Sequence, residues 1–264
     1  MRKPVFVFAA GTAVLSLAGA VLRYFEYRSA RDPETGLFAF IPLSWALIAL
    51  SVLAAVFFLI FARSINQDPS ADYDAAFRPA SPVPVILSAL MLAAVIWSVV
   101  TSFTEFRRGN GMAPCILAAL AFLAAAAELG LDLSLLRGKK GDDRFFSLVL
   151  QIVFVCVFII IYYKTYSAVP SLSAVMYDFL GLCAAAWAMY CLAGFSVGRG
   201  KAGQSLAFSG AAVYFCCISL IGVNSSVFMI YFIYMVLRLF KDSVLLSRNI
   251  CSFKSAAEKD GETA

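Results

Sequence analysis

The sequence predicts an all-α fold, a polytopic helical membrane bundle with eight transmembrane helices. Hydrophobic residues make up 62% of the 264-residue chain, and its mean hydropathy is +0.87. Charged residues make up 14% of the chain, whereas an ordinary soluble domain carries about 25%. The apolar residues also form continuous runs of about 20 residues, the length at which a helix crosses the hydrocarbon core. Such runs do not fit the alternating strands of an outer-membrane barrel.

Eight apolar runs have this length or nearly so, and each is predicted to be one span. They cover residues 4–22, 41–62, 83–103, 112–131, 145–166, 172–195, 204–222 and 225–240. Glycine, proline and aspartate cluster between the runs, as turns and loops require. The last two runs form one apolar tract of 37 residues, which as a single helix would be about 55 Å long. We therefore expect a chain reversal at 222–225, with a re-entrant hairpin as the alternative.

The positive charges predict how the chain threads the membrane. Of the 21 Lys and Arg residues, 15 fall on the side of the N-terminus and 6, including Arg23, on the other side. Because cytoplasmic segments are enriched in Lys and Arg, both termini are predicted to be cytoplasmic. As an alternative, Arg2-Lys3 and Ala18-Gly19-Ala20 resemble a signal peptide, whose cleavage would leave seven spans and an external N-terminus.

The C-terminal part of the chain is predicted to leave the membrane, so that residues 1–256 form one transmembrane domain. Apolar residues recur at helical spacing over 241–256, with basic residues such as Lys241 between them. This pattern predicts an amphipathic helix along the cytoplasmic interface, with its basic side toward anionic lipid. Residues 257–264 are predicted to be a disordered tail.

The composition excludes several classes of function. The chain has no histidine, which excludes His-based zinc sites and Ser-His-Asp catalysis. The glycine-rich, basic stretch 198–203 lacks the GKS or GKT ending of a phosphate-binding loop. The seven cysteines show no metal-binding spacing and are predicted to be reduced packing residues, so no cofactor is expected. The net charge of +5 follows from membrane orientation, and no nucleic-acid partner is predicted.

An ionisable residue inside a span requires a reason, because burying it in hydrocarbon costs free energy. Asp178 lies in the sixth predicted span, and Lys164 lies near the end of the fifth. The short link 167–171 makes these helices neighbours, so we expect Lys164 to approach Asp178. With Tyr163 and Tyr177 on its wall, this pair predicts a substrate or ion site that opens to the outside. The alternative is a structural ion pair beneath a belt of interfacial tyrosines.

Glu128 is a second acidic residue within a span. It lies near the end of the fourth predicted span, one helical turn before Asp132. Gln151 lies in the inner half of the next span, so a Glu128–Gln151 hydrogen bond is expected. Functionally, Glu128 is a candidate carrier of a proton or cation. The alternative is a helix-end carboxylate that reaches cytoplasmic water or a basic loop residue.

The loop after the second span contains Asp68, Asp72 and Asp74. Paired carboxylates beside a membrane can hold Mg²⁺ on a diphosphate, as in membrane prenyltransferases. That pattern needs a second aspartate-rich loop, and the chain offers only Asp142-Asp143. A solvated acidic turn is the alternative, and no metal site is predicted.

Small residues recur at a spacing of four in several spans. Gly181 and Ala185 are one such pair, and Ser205 and Ser209 are another. Small side chains let membrane helices approach closely, so these positions predict packing faces.

Two short segments resemble a family of uncharacterised small polytopic bacterial membrane proteins. They are Arg23-Tyr24-Phe25 with Asp32-Pro33-Glu34-Thr35-Gly36-Leu37, and Ala76-Phe77-Arg78-Pro79-Ala80. Neither segment is a chemical motif. The resemblance implies a multi-pass protein of a bacterial cytoplasmic membrane and no particular activity.

Three classes of function fit these observations. The first is a small-solute or ion transporter, or a permease-like component of one, because the spans are many and carry embedded acids. The second is a non-catalytic accessory or scaffold that binds another membrane protein, a second copy of itself or lipid. The third is a membrane-embedded lipid-modifying enzyme, which depends on the weak acidic loop.

Overall fold

The computed structural model describes residues 3–30, 41–65, 73–108, 112–138, 144–167, 172–223 and 225–262. Within these ranges the chain forms nine α-helices and no strand. The helices are α1 (Lys3–Ala30), α2 (Pro42–Ile65), α3 (Tyr73–Phe77), α4 (Val83–Arg107), α5 (Ala113–Leu136), α6 (Arg144–Tyr166), α7 (Leu172–Ser196), α8 (Ala202–Ser219) and α9 (Ser226–Glu262).

Within the described residues, seven helices are long and apolar enough to cross a membrane. The candidate spans are Val5–Ala30, Pro42–Ser64, Val83–Arg107, Ala113–Leu136, Arg144–Tyr166, Val175–Ser196 and Ala202–Ser219. These helices confirm the prediction of a helical membrane bundle. Helix α9 is not in this set, because Arg238, Lys241 and Asp242 lie in the stretch that would cross.

The end of α1 differs from the sequence prediction. Helix α1 continues to Ala30, eight residues beyond the predicted end of the first span. Arg23, which was expected in an external loop, therefore lies inside α1 and is buried. It pairs with Glu26 one turn later, at 2.6 Å between Nη1 and Oε2. The pairing compensates the charge, so the helix can run on without a loop.

Consecutive long helices run in opposite directions. Phe8, near the start of α1, packs on Phe58 and Phe61, near the end of α2. Helices α6 and α9 are not consecutive but are also antiparallel, because Phe158 in the second half of α6 contacts Tyr231 near the start of α9. We call the end at which α1 begins the amino-terminal end of the bundle, and the other the opposite end.

Helix α8 lies at the centre of one side of the bundle, where it contacts α1, α2, α7 and α9. Close approaches hold it there. The hydroxyl groups of Ser51 on α2 and Tyr214 on α8 lie 3.1 Å apart. A Cβ atom added at Gly181 of α7 would lie 3.1 Å from the backbone nitrogen of Cys216 on α8. Gly181 therefore lies at a tight helix crossing, as its small-residue spacing predicts.

The α7–α8 crossing yields a stability prediction. Gly181→Leu should lower the free energy of unfolding by about 1–3 kcal/mol, because the added side chain meets backbone that cannot move aside. Gly130→Leu is the matched control, since a Cβ added at this exposed α5 position meets nothing within 4 Å. The measurement is the thermal unfolding midpoint of each variant in detergent. Equal midpoints for the two variants would contradict the packing assignment.

Candidate functional site

Two helix faces carry complementary ionisable residues. On α5, Glu128 and Asp132 are four residues apart and share one face. On α9, Tyr234, Arg238 and Lys241 follow one another at spacings of four and three, which also places them on one face. Helix packing brings the two faces together, beside α4.

Lys241 is the centre of this contact. Its Nζ atom donates hydrogen bonds to Glu128 Oε1 at 2.7 Å, to Asp132 Oδ2 at 2.6 Å and to Ser88 Oγ at 3.1 Å. The Ser88 hydroxyl on α4 in turn donates to Asp132. All three ammonium protons therefore have an acceptor, although Lys241 is only 6% exposed.

Arg238 extends the contact toward the bundle core. Its Nε atom lies 3.2 Å from Glu128 Oε2 and 3.6 Å from Asp242 Oδ2. Its Nη1 atom lies 3.7 Å from the sulfur of Met189 on α7. The Tyr234 hydroxyl donates to Glu128 Oε2 at 2.8 Å. Glu128 thus has three partners from α9, and its own exposed fraction is 3%.

We call these five ionisable residues the charge cluster: Glu128, Asp132, Arg238, Lys241 and Asp242. With every group ionised, three carboxylates face two cations, so the formal charge is −1. Buried charges of this kind require partners, and removing one partner leaves an uncompensated charge. Tyr73 of α3 is buried beside the cluster, and burial together with the negative charge of Asp242 raises the pKa of its phenol.

A second feature lies at the opposite end of the bundle, a cavity of about 870 Å³ between the ends of α4, α5, α6 and α9. We call it the opposite-end cavity. Ten of the fifteen residues that line it have polar side chains, among them Ser102, Glu105, Arg108, Lys164, Thr165 and Ser226. The Ser102 hydroxyl is buried and lies within reach of the Tyr231 hydroxyl on α9.

Polar groups continue from this cavity toward the charge cluster. Ser98 lies one turn below Ser102 on α4, and its hydroxyl is 3.3 Å from that of Tyr231 on α9. Tyr234 lies one turn further along α9 and contacts the cluster. The ring of Phe154 lies against both tyrosines, with centroid distances of 5.6 Å and 6.0 Å. We call this succession of hydroxyl groups the polar file; the ring of Phe154 packs against both of its tyrosines.

The predicted Asp178 site takes a different form. Asp178 is buried, but it accepts a hydrogen bond from Tyr162, and no ion pair joins it to Lys164 among the described residues. Lys164 is exposed and lines the opposite-end cavity instead. The expected approach is therefore wrong, because Tyr162 occupies the α6 face toward α7. Tyr163 is exposed, whereas Tyr177 is buried.

Tyr177 belongs to a small buried group near Asp178. The guanidinium of Arg23 lies over its ring, 5.1 Å from the centroid. Arg23 and Glu26 contribute the two charges of this group, both from α1. Asp178 and Tyr177 could be identified from the sequence, whereas Arg23 was expected in a loop because it follows the apolar run.

The expected Glu128–Gln151 hydrogen bond is absent from the described residues. Glu128 turns toward α9, where a cation is available. A buried carboxylate gains more from an ammonium group than from a neutral amide. Gln151 is fully buried, and neither of its amide atoms has a hydrogen-bond partner within the described ranges. The alternative interpretation placed Glu128 at a helix end in contact with water. It does not hold either, because Glu128 is buried.

The acidic loop provides little support for a metal centre. Asp68 and Asp72 lie outside the described residues. Asp74 lies in the first turn of the short helix α3 and forms an ion pair with Arg144 at the start of α6. In the part of the chain that the structure describes, no group of three or more His, Cys, Asp or Glu side chains could hold a metal ion.

Sequence reasoning missed the basic half of the charge cluster. Arg238 and Lys241 were counted among cytoplasmic charges, and Lys241 was expected to face anionic lipid. Both are buried in the bundle. The spacing of Tyr234, Arg238 and Lys241 on one helical face was a usable signal, since it matches the Glu128 and Asp132 face.

Comparison with known proteins adds no family. The chain matches no protein-family model, no curated protein and no solved structure. The charge cluster, the polar file and the opposite-end cavity are therefore the observations from which a function can be argued.

The cluster yields a second stability prediction. Lys241→Met should lower the free energy of unfolding by about 3–5 kcal/mol, because it leaves the buried Asp132 without a cation and Glu128 with Arg238 alone. Adding Asp132→Asn to Lys241→Met should restore part of the loss. Arg108→Met is the control, since the Arg108–Glu105 pair is exposed and such pairs contribute about 0–1 kcal/mol. Unfolding midpoints in detergent provide the measurement, and a loss no larger than that of the control would refute the pairing.

Proposed function

We propose that the protein is a small-solute transporter of the secondary, permease-like type, in which the charge cluster couples solute movement to a proton. The observation that carries this proposal is the polar file, which leads from the opposite-end cavity to buried carboxylates. In this proposal the first part of α9 is an eighth crossing, and both termini are cytoplasmic. The opposite-end cavity then faces outward from a bacterial cytoplasmic membrane.

The lining of the cavity favours an anionic solute. Glu105 and Arg108 form an exposed pair at 3.4 Å, so their charges offset each other. Lys164 has no ion pair among the described residues and remains as the surplus cation. Hydroxyl groups such as those of Thr165 and Ser226 add donors and acceptors around it. A small molecule with a carboxylate or phosphate group fits this combination.

The charge cluster has the composition expected of a proton-binding group. Its formal charge is −1 when all members are ionised, so uptake of one proton neutralises it. Intramembrane carboxylates mark proton relays in pumps and transporters. Glu128 is the member closest to the file, because Tyr234 donates to it directly. The Phe154 ring packs against both tyrosines of the file, and we infer that it moves aside during the transport cycle.

Transport can be tested with the purified protein in liposomes that enclose a pH-sensitive dye. The external probes are glutamate and inorganic phosphate, which do not cross bilayers unaided, with neutral glucose and cationic choline for comparison. At least one anion should acidify the interior, whereas glucose and choline should not. The absence of acidification by every anion, with protein that is folded and inserted, would reject the transport proposal.

Two variants separate solute binding from proton coupling. Lys164→Gln should raise the half-saturating anion concentration about fivefold, the effect of losing roughly 1 kcal/mol of charge interaction. Glu128→Gln keeps the acceptor for Tyr234 but removes the titrating group, so acidification should stop while the anion still raises the unfolding midpoint. Arg63→Gln, an exposed change at the amino-terminal end, is the control for both. Normal acidification by Glu128→Gln would contradict its coupling role.

A further inference from the structure

A second cavity lies at the amino-terminal end of the bundle, on the side away from α4. Its volume is about 490 Å³, and it lies between the start of α6, the end of α7 and the start of α8. Apolar side chains form its walls, among them Phe145, Val149, Ile152, Tyr190 and Val197. Phe145, Tyr190 and Val197 are each more than half exposed, so the cavity opens to the lipid-facing surface.

Two cations stand at the mouth of this cavity, Arg199 and Lys201, together with the amide side chain of Gln204. All three are exposed. Neither cation forms an ion pair among the described residues. Within the described ranges, no carboxylate offsets their positive charge.

The connection between α7 and α8 holds these cations in place. Gly198 has a φ of 69°, which favours glycine. The Arg199 backbone nitrogen donates to Gly194 O at 2.8 Å, and that of Gly198 donates to Phe195 O at 3.3 Å. This is the hydrogen-bond pattern of a Schellman motif, which closes the end of a helix. A Cβ atom added at Gly200 would lie 2.3 Å from the Phe195 ring, so glycine is required there as well.

We propose that this cavity binds one anionic phospholipid. The phosphate lies between Arg199 and Lys201, where the guanidinium can form paired hydrogen bonds to it. An acyl chain lies against the apolar α6 and α7 walls. The ends of α7 and α8 place the two cations at the level at which headgroups meet the hydrocarbon core. The site shares no lining residue with the charge cluster or the opposite-end cavity, so it does not depend on the transport proposal.

The two cations at the mouth and the apolar walls together favour an anionic phospholipid over other ligands. A free phosphate ion would contact the cations and leave the apolar walls without a ligand. A phosphatidylcholine would fill the walls, but its choline cation would be repelled by Arg199 and Lys201. A lipid with net negative charge, such as phosphatidylglycerol, satisfies both parts of the site.

The test is a native mass spectrometry titration of the full-length protein in detergent. The probes are phosphatidylglycerol and phosphatidylcholine with identical acyl chains. The wild type should bind phosphatidylglycerol more tightly. Arg199→Gln and Lys201→Gln should each weaken that binding about fivefold, as expected from about 1 kcal/mol per cation near anionic lipid. Arg63→Gln, an exposed cation at the same end that does not line the cavity, should leave it unchanged.

Two further measurements test whether the acyl chain occupies the cavity. Val149→Trp should fill the apolar wall and weaken phosphatidylglycerol binding while leaving Arg199 and Lys201 intact. Inorganic phosphate should fail to compete with the lipid. The proposal is overturned by equal binding of the two lipids, by an unchanged affinity in Val149→Trp, by competition from phosphate alone, or by an Arg63→Gln effect as large as that of Arg199→Gln.

Discussion

The position of α9 depends on one interaction, the contact of the buried Lys241 ammonium group with Glu128 and Asp132. All three side chains are almost fully buried, where an unpaired charge would be costly. Each ammonium proton already has an acceptor. A slide of α9 by one helical turn, about 5.4 Å, would separate the charges. The pairing therefore sets the register of α9 against α4 and α5, and with it the positions of Tyr231 and Tyr234.

Other features of the α4, α5, α6 and α9 side follow from this register. The tyrosines of α9 face Ser98 and Phe154 at the depth between the cluster and the opposite-end cavity. The α1, α7 and α8 side has its own buried polar group, in which Arg23 pairs with Glu26 and Tyr162 donates to Asp178. The proposed transport path and the proposed lipid site thus lie on separate helix interfaces, joined through the central contacts of α8 and α9.

Much of the fold could be predicted from the sequence, because the length and continuity of an apolar run report directly on a membrane helix. Part of the site could be predicted too. Glu128 and Asp178 were identified because an acid in hydrocarbon requires compensation. The partner of Asp178 does come from the neighbouring helix of its hairpin, but it is Tyr162 instead of Lys164. The partner of Glu128 was expected across a hairpin as well, because sequence proximity favours such contacts. Its compensating groups instead come from α9, more than 100 residues away.

The amino-acid sequence was sufficient to predict the helical membrane class, the acidic residues that would need partners and the small-residue crossing at Gly181. These properties depend on local composition and on spacing along one helix. Three placements became clear only from the tertiary structure. Lys241 is a core residue instead of an interfacial one, and Lys164 lines the opposite-end cavity. Arg199 and Lys201 lie at the mouth of the apolar cavity. Each of these placements depends on which helix faces pack together. A Lys or Arg side chain near a helix end can be exposed to water, extend toward the membrane interface or form an ion pair. Only the arrangement of the distant helices selects among those outcomes.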